Sequence, residues 1–171
     1  AMKSPEQIDA ILKQDITEDE IFGYMTRQNM DCYFDGDKLP GIRSEIAAVT
    51  EGIVFVYGVG AAYVQPSYDL LVYADMARWE IQMRFRRNEV SNVGISNREE
   101  RASLQYKRAF FVDWRICDRF KKKLMKKWDY VLDTNTAGNP KMATAKAIEA
   151  GLEKASRTPF RVVPFFDPGP W

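Results

Sequence analysis

The feature that most narrows the possible folds is an abrupt change of hydrophobic period after Gly52. Ile53-Val54-Phe55-Val56-Tyr57-Gly58-Val59 is a continuous β-branched and aromatic run, the pattern of a strand buried on both faces, and it predicts a central strand of a parallel sheet. Leu70-Leu71-Val72-Tyr73-Ala74-Asp75 predicts a second strand at a distance that leaves room for a compact crossover, and Met76, Trp79, Met83 and Val90 then mark a helix. From about residue 98 to residue 126, Phe110, Trp114, Cys117 and Leu124, with Val112, Ile116 and Phe120 beside them, form the broad apolar stripe of a long helix whose opposite face is basic. Tyr130-Val131-Leu132-Asp133 predicts a third strand, residues 142–155 an Ala-rich helix, and Phe160-Arg161-Val162-Val163-Pro164-Phe165-Phe166 a fourth strand. Strands alternating with helices imply an α/β fold: a three-layer domain with a mainly parallel sheet of about four strands covered by helices.

The part before Gly52 reads as helical. Ser4-Pro5-Glu6-Gln7 supplies an N-cap and a proline in the first turn ahead of Ile8, Ile11 and Leu12. Thr17-Glu18-Asp19-Glu20 has the spacing of a capping box before Ile21, Tyr24 and Met25, which predicts a second helix. A third, over about residues 42–49, should stop at Gly52, where a left-handed C-terminal residue fits. The organisation expected is an N-terminal helical segment, residues 1–52, and an α/β part, residues 53–171, in one compact domain.

With 171 residues, 46% of them hydrophobic, the chain can bury a real core. Lys plus Arg (25) nearly balances Asp plus Glu (24), so no global pull toward nucleic acid follows. The apolar runs are broken by glycines well short of the roughly 20 residues of a membrane helix, and a soluble, cytoplasmic protein is the simplest expectation. The chain has no histidine, which removes His-based hydrolase triads, His-ligated zinc and His proton shuttles together. Cys32 and Cys117 are too few and too far apart for a metal motif, and they read as idle thiols. No catalytic residue and no metal ligand is assigned.

What chemistry remains lies at strand ends and in basic clusters. Asp75 and Asp133 end predicted strands, where open α/β sheets place ligands; substrate or Mg²⁺ contact is one reading, and helix capping is the other, as for Asp75 before Met76. Gly58-Val59-Gly60 follows a strand as a phosphate-cradling turn would, or is a tight turn where backbones approach closely; no third glycine stands at the dinucleotide-fold spacing and no phosphate-loop motif is present. Arg84, Arg86 and Arg87 close one helix and Arg98, Arg101, Lys107 and Arg108 open the next, so they could clamp a phosphate or form a solvated charged face that complements the helix dipole. The candidate anion-binding set is therefore Gly58, Gly60, Asp75, Arg84, Arg86, Arg87 and Arg101. The run of lysines between Lys121 and Lys127 reads as a solvated helix face.

Two resemblances extend this reading. The stretch from Tyr68 to Asp75 with the following helix to Arg87, and the stretch from Tyr106 to Lys127 followed by Trp128-Asp129-Tyr130-Val131-Leu132-Asp133, resemble the second half of P-loop kinases of the uridine kinase type. That likeness implies lid positions contacting nucleotide phosphates at Arg84, Arg86 and Arg87, but the phosphate loop itself is missing. A closer likeness rests on Ile21-Phe22-Gly23-Tyr24-Met25-Thr26-Arg27, Val54-Phe55-Val56-Tyr57-Gly58-Val59-Gly60-Ala61, Asp75-Met76-Ala77-Arg78-Trp79-Glu80-Ile81-Gln82, Phe110-Phe111-Val112-Asp113-Trp114-Arg115 and Pro164-Phe165-Phe166-Asp167-Pro168-Gly169-Pro170-Trp171. These resemble the kinase-like N-terminal region of long class I mannose-6-phosphate isomerase-like proteins of Bacteroides-type bacteria. The resemblance implies a non-catalytic accessory or regulatory module, with a C-terminal cupin-type isomerase domain as its partner. Zinc is expected only in that domain and no cofactor in this chain, and a sugar phosphate or nucleotide is the possible ligand. The alternatives are a nucleotide-dependent phosphotransferase whose phosphate loop lies outside this chain, and an oligomerisation domain.

Overall fold

A computed structural model describes residues 1–159. It opens with helix α1 (Pro5–Ile16), which starts where the local chemistry says it should. The Gln7 amide donates to Ser4 Oγ and the Ser4 amide donates back to Gln7 Oε1, closing the capping box, with Pro5 in the first turn. Its fully buried Ile8 and Leu12 enter the main core with Met30, Cys32, Tyr33, Phe34, Leu39, Val64, Val112 and Ile116. That core draws on both sides of Gly52.

A short 3₁₀ turn (Met30–Tyr33) leads to α2 (Leu39–Ala47) and then to the one-turn helix α3 (Ala61–Val64). Strand β1 (Val72–Asp75) feeds α4 (Arg78–Arg86). The long helix expected near residues 98–126 is present as α5 (Ala102–Arg108), a π turn (Ala109–Asp113) and α6 (Trp114–Leu124) in unbroken succession. The π turn lets the buried stripe serve two places. Val112 and Ile116 face the main core, while Ala109 and Trp114 pack with Phe85 of α4 in a second cluster.

Strand β2 (Tyr130–Asp133) pairs in parallel with β1, Val72 opposite Tyr130 and Asp75 opposite Asp133. Strand β3 (Lys141–Thr144) returns antiparallel to β2, and α7 (Ala145–Ser156) follows with Thr144 Oγ1 accepting from the Ala147 amide as its N-cap. One face of the sheet meets Trp128, whose ring lies 5.1 Å from that of Tyr73, and Lys121 of α6, whose Nζ sits 5.3 Å from the Tyr73 ring centre. The domain is thus mixed α/β with a small three-stranded mixed sheet in the order β1-β2-β3. No helix among the described residues is long and apolar enough to cross a membrane.

Three expectations are corrected. Residues 53–59 are not a buried central strand: the segment belongs to no helix or strand and pairs with nothing among the described residues, and Ile53, Phe55 and Tyr57 are 80%, 81% and 93% exposed. High β-propensity makes a strand only where a ladder partner is in register, and positive φ at Gly52 (90°) and Gly58 (113°) turns the chain at both ends of the segment. Thr17–Met25 is not a helix either. Asp19 Oδ1 accepts from the amides of Ile21 and Phe22, each at 2.7 Å, and Thr17 Oγ1 donates to the Phe22 carbonyl, so local side-chain bonds displace the helical ladder. Thr17 itself has a φ of 59°. The Ala-rich helix starts at Ala145 rather than at Met142, because Lys141–Thr144 forms β3, an unexpected strand that pairs antiparallel with β2. The predicted fourth strand lies outside the described residues.

Candidate functional site

The parallel strands end side by side at Asp75 and Asp133, the place where an open α/β sheet presents a ligand crevice. Here the chain's own groups meet one another. The Asp75 carboxylate accepts from Lys121 Nζ at 2.7 Å, and its carbonyl accepts from the Thr134 amide (2.9 Å) and hydroxyl (2.8 Å). Arg84 Nη2 donates to the Thr134 carbonyl at 3.0 Å and Arg84 Nε to Glu80 Oε1 at 2.9 Å. The same Glu80 oxygen accepts from Arg87 Nη2 at 3.0 Å, and Arg87 also reaches both oxygens of Glu89. The guanidinium hydrogen bonds, that of Arg84 foremost for Glu80 and that of Arg87 for Glu89, hold both carboxyls below the usual range.

Asp75 does not cap α4, the structural role the sequence offered it. That work falls to Asn135, whose Oδ1 accepts from the Ala77 amide at 2.7 Å and which is itself held by Asp133 Oδ1. A loop after one strand therefore caps the helix after the other. The sequence signal was Asp133-Thr134-Asn135, a cluster of residues that favour side-chain to backbone bonds.

The remaining candidates are dispersed. Arg101 pairs at 3.1 Å with Glu20 on an exposed surface. Arg86 borders an open cleft of about 400 Å³, lined also by Ile21, Phe85, Tyr106, Lys107 and Phe111. Lys107, expected on a polar face, is buried and donates to the carbonyls of Thr17 and Asp19. Gly58 and Gly60 lead into α3, and Gly60 (φ 79°) lies so close to Phe34 that a Cβ would stand 2.6 Å from two of its ring carbons, with the Met30 sulfur at 3.1 Å. This is the close-approach reading of the glycine pair. Arg84 and Arg87 are brought together through Glu80, whereas the nearest side chains to Gly60 are those of Phe34 and Met30.

Sequence reasoning missed a polar network inside the core. Asp113, in the π turn, is 3% exposed and accepts from Tyr33 Oη (2.6 Å), Asn92 Nδ2 (2.8 Å) and the Val93 amide (3.3 Å). Arg108, one turn earlier and also buried, donates to Asp9 at 2.6 Å. Burial pushes the Asp113 carboxyl above its ordinary range; the Tyr33 and Asn92 hydrogen bonds and the Arg108 charge pull the other way and lose. The signal was in the spacing: Asp113 stands four residues from Ala109 and Cys117 and three from Ile116, within the apolar stripe itself. The two thiols are inert by position: burial raises Cys32 to about 11 and Cys117 to about 12. No group of three or more potential metal-ligating side chains occurs among the described residues.

These features define a mixed α/β domain whose strand-end charges are internally paired. The chain belongs to the family described as "Domain of unknown function (DUF8485)", whose model matches residues 1–157. No curated protein and no solved structure matches the chain.

Proposed function

We propose that this chain is a non-catalytic accessory module of a mannose-6-phosphate isomerase-like protein. The observation that carries the non-catalytic half is the state of the strand ends. Asp75, Arg84 and Arg87 are each answered by a side chain or carbonyl of the same domain, in the sequence Lys121–Asp75, Arg84–Thr134, Arg84–Glu80–Arg87–Glu89. A phosphate entering there would have to displace carboxylates from their guanidinium partners while meeting the charges of Glu80 and Glu89. The isomerase half rests on the resemblance of the five quoted strings taken together.

The test has two parts. Purified chain mixed with a separately purified class I mannose-6-phosphate isomerase domain should co-elute with it in gel filtration and should itself turn over neither mannose 6-phosphate nor ATP with Mg²⁺. Nucleotide hydrolysis by the chain, lost in Arg84→Ala, would favour the phosphotransferase reading instead. Failure to associate with the isomerase domain would remove the accessory role.

A further inference from the structure

Residues 53–57 are the most anomalous surface of the domain. Residues 52–68 carry no charged side chain in a chain that is 29% charged. Within them Ile53, Val54, Phe55, Val56 and Tyr57 lie outside any helix or strand, each exposed, and their amides and carbonyls make no hydrogen bond among the described residues. Exposed strands of soluble proteins are ordinarily guarded by charge, proline or a bulge. Residues 53–57 have no such guard, and they present both a backbone unpaired among the described residues and an apolar surface, the two things strand addition requires.

We infer that residues 53–57 are a homodimerisation strand, which pairs antiparallel with the same residues of a second copy about a two-fold axis at Phe55. Three observations favour a second copy as the occupant. The first is register: with Phe55 opposite Phe55, Val54 faces Val56 and Ile53 faces Tyr57, so each cross-strand pair is β-branched, aromatic or one of each, the combinations that stabilise antiparallel ladders. The second is charge, since an isologous contact brings the same segment of both copies together and an uncharged segment escapes self-repulsion. The third is area. With Phe and Tyr bringing ~150–250 Å² each, the exposed side chains of Ile53, Val54, Phe55, Val56, Tyr57 and Val59 present on the order of 800 Å² per protomer, an exposed area as large as the area each side of a standard interface buries. Exposure also alternates along the strand: Ile53, Phe55 and Tyr57 stand far out, while Val54 (43%) and Val56 (37%) lean toward the domain. The outward face is thus the one formed by the aromatic residues and Ile53.

This inference is independent of the accessory role, and its test reads association of the chain with itself. Light scattering of the purified 171-residue chain at micromolar concentration should give twice the 19.7 kDa of a single chain. Phe55→Asp and, separately, Tyr57→Lys should give a monomer with unchanged far-ultraviolet circular dichroism, because neither side chain supports the fold of its own protomer. Phe55→Cys should cross-link to a covalent dimer on mild oxidation, since directly opposed residues fall within disulfide reach, whereas the parent chain and Ser67→Cys should not. A monomeric parent chain, a dimer indifferent to both charged substitutions, or a dimer that does not cross-link through residue 55 would overturn the inference.

Discussion

Tyr33 and Asp113 stand 80 positions apart in the chain and 2.6 Å apart in the core, and this contact closes the long helix onto the N-terminal segment. Tyr33→Phe removes the phenol donor and leaves the buried carboxylate with Asn92 and Val93 alone. A hydrogen bond to a charged group contributes about 1.5–3 kcal/mol, and urea unfolding should show a loss of that size with no change in the slope. The carboxyl of Asp113 is raised by burial, so the folded state holds its proton more tightly than the unfolded state does. Its contribution therefore falls as pH climbs from about 4, the ordinary carboxylate value, through the higher folded value. Measured against Asp113→Asn, which has no proton to lose, the stability advantage of the parent chain should shrink across that window. A difference that grows with pH would show that the hydrogen bonds outweigh burial. The thiols make a simpler case: with Cys32 near 11 and Cys117 near 12, both should react with a disulfide reagent at pH 8 far more slowly in the folded chain than after denaturation.

Among the elements, the glycine pair before α3 separates two roles that look alike in sequence. Gly58 has a φ of 113° and open space around the position of a Cβ, whereas Gly60 has a φ of 79° and the Phe34 ring pressed against it. Gly58→Ala should cost only the backbone strain of an L-residue in that region, about 1–2 kcal/mol. Gly60→Ala adds a ring clash, worth about a further 1–3 kcal/mol, and the difference in thermal midpoint between the two variants reads that clash directly. Equal losses would mean that Phe34 moves aside freely. Element identity was legible wherever local signals agreed with packing. Ser4-Pro5-Glu6-Gln7 announces α1, the apolar stripe announces α6, and the short apolar runs ending at Asp75 and Asp133 announce the parallel pair. It was not legible where a side chain competed with the helix, as Asp19 and Thr17 do, or where a strand's identity depended on a partner. Lys141–Thr144 pairs because β2 offers it an edge; residues 53–57, far richer in β-formers, find no edge among the described residues.

At the scale of the whole molecule, the sheet is small, and the charged residues at its strand ends are engaged with one another. The sequence placed Asp75 and Arg84 at a strand end and a helix end, as it should, but it could not say which partners they would choose. Those partners, Lys121, Thr134 and Glu80, come from α6, the loop after β2 and α4. Only folding brings them to one place, and so the difference between an empty phosphate clamp and a filled structural network was invisible in the linear order. The mixed α/β class survives this, because it depends on the alternation of patterns rather than on any one contact. Asp113 is the converse case: its place within the apolar stripe pointed inward, and only its partners Tyr33 and Asn92 depended on folding.

The central claim is that the strand-end arginines are structural. Isothermal titration of the chain with mannose 6-phosphate, and separately with ATP and Mg²⁺, tests it most directly, alongside an Arg84→Ala variant monitored by thermal unfolding. The account predicts no saturable heat with either ligand and a lowered thermal midpoint for the variant, from loss of the bonds to Thr134 and Glu80. Saturable binding of either ligand that disappears in Arg84→Ala, in a variant as stable as the parent chain, would contradict it.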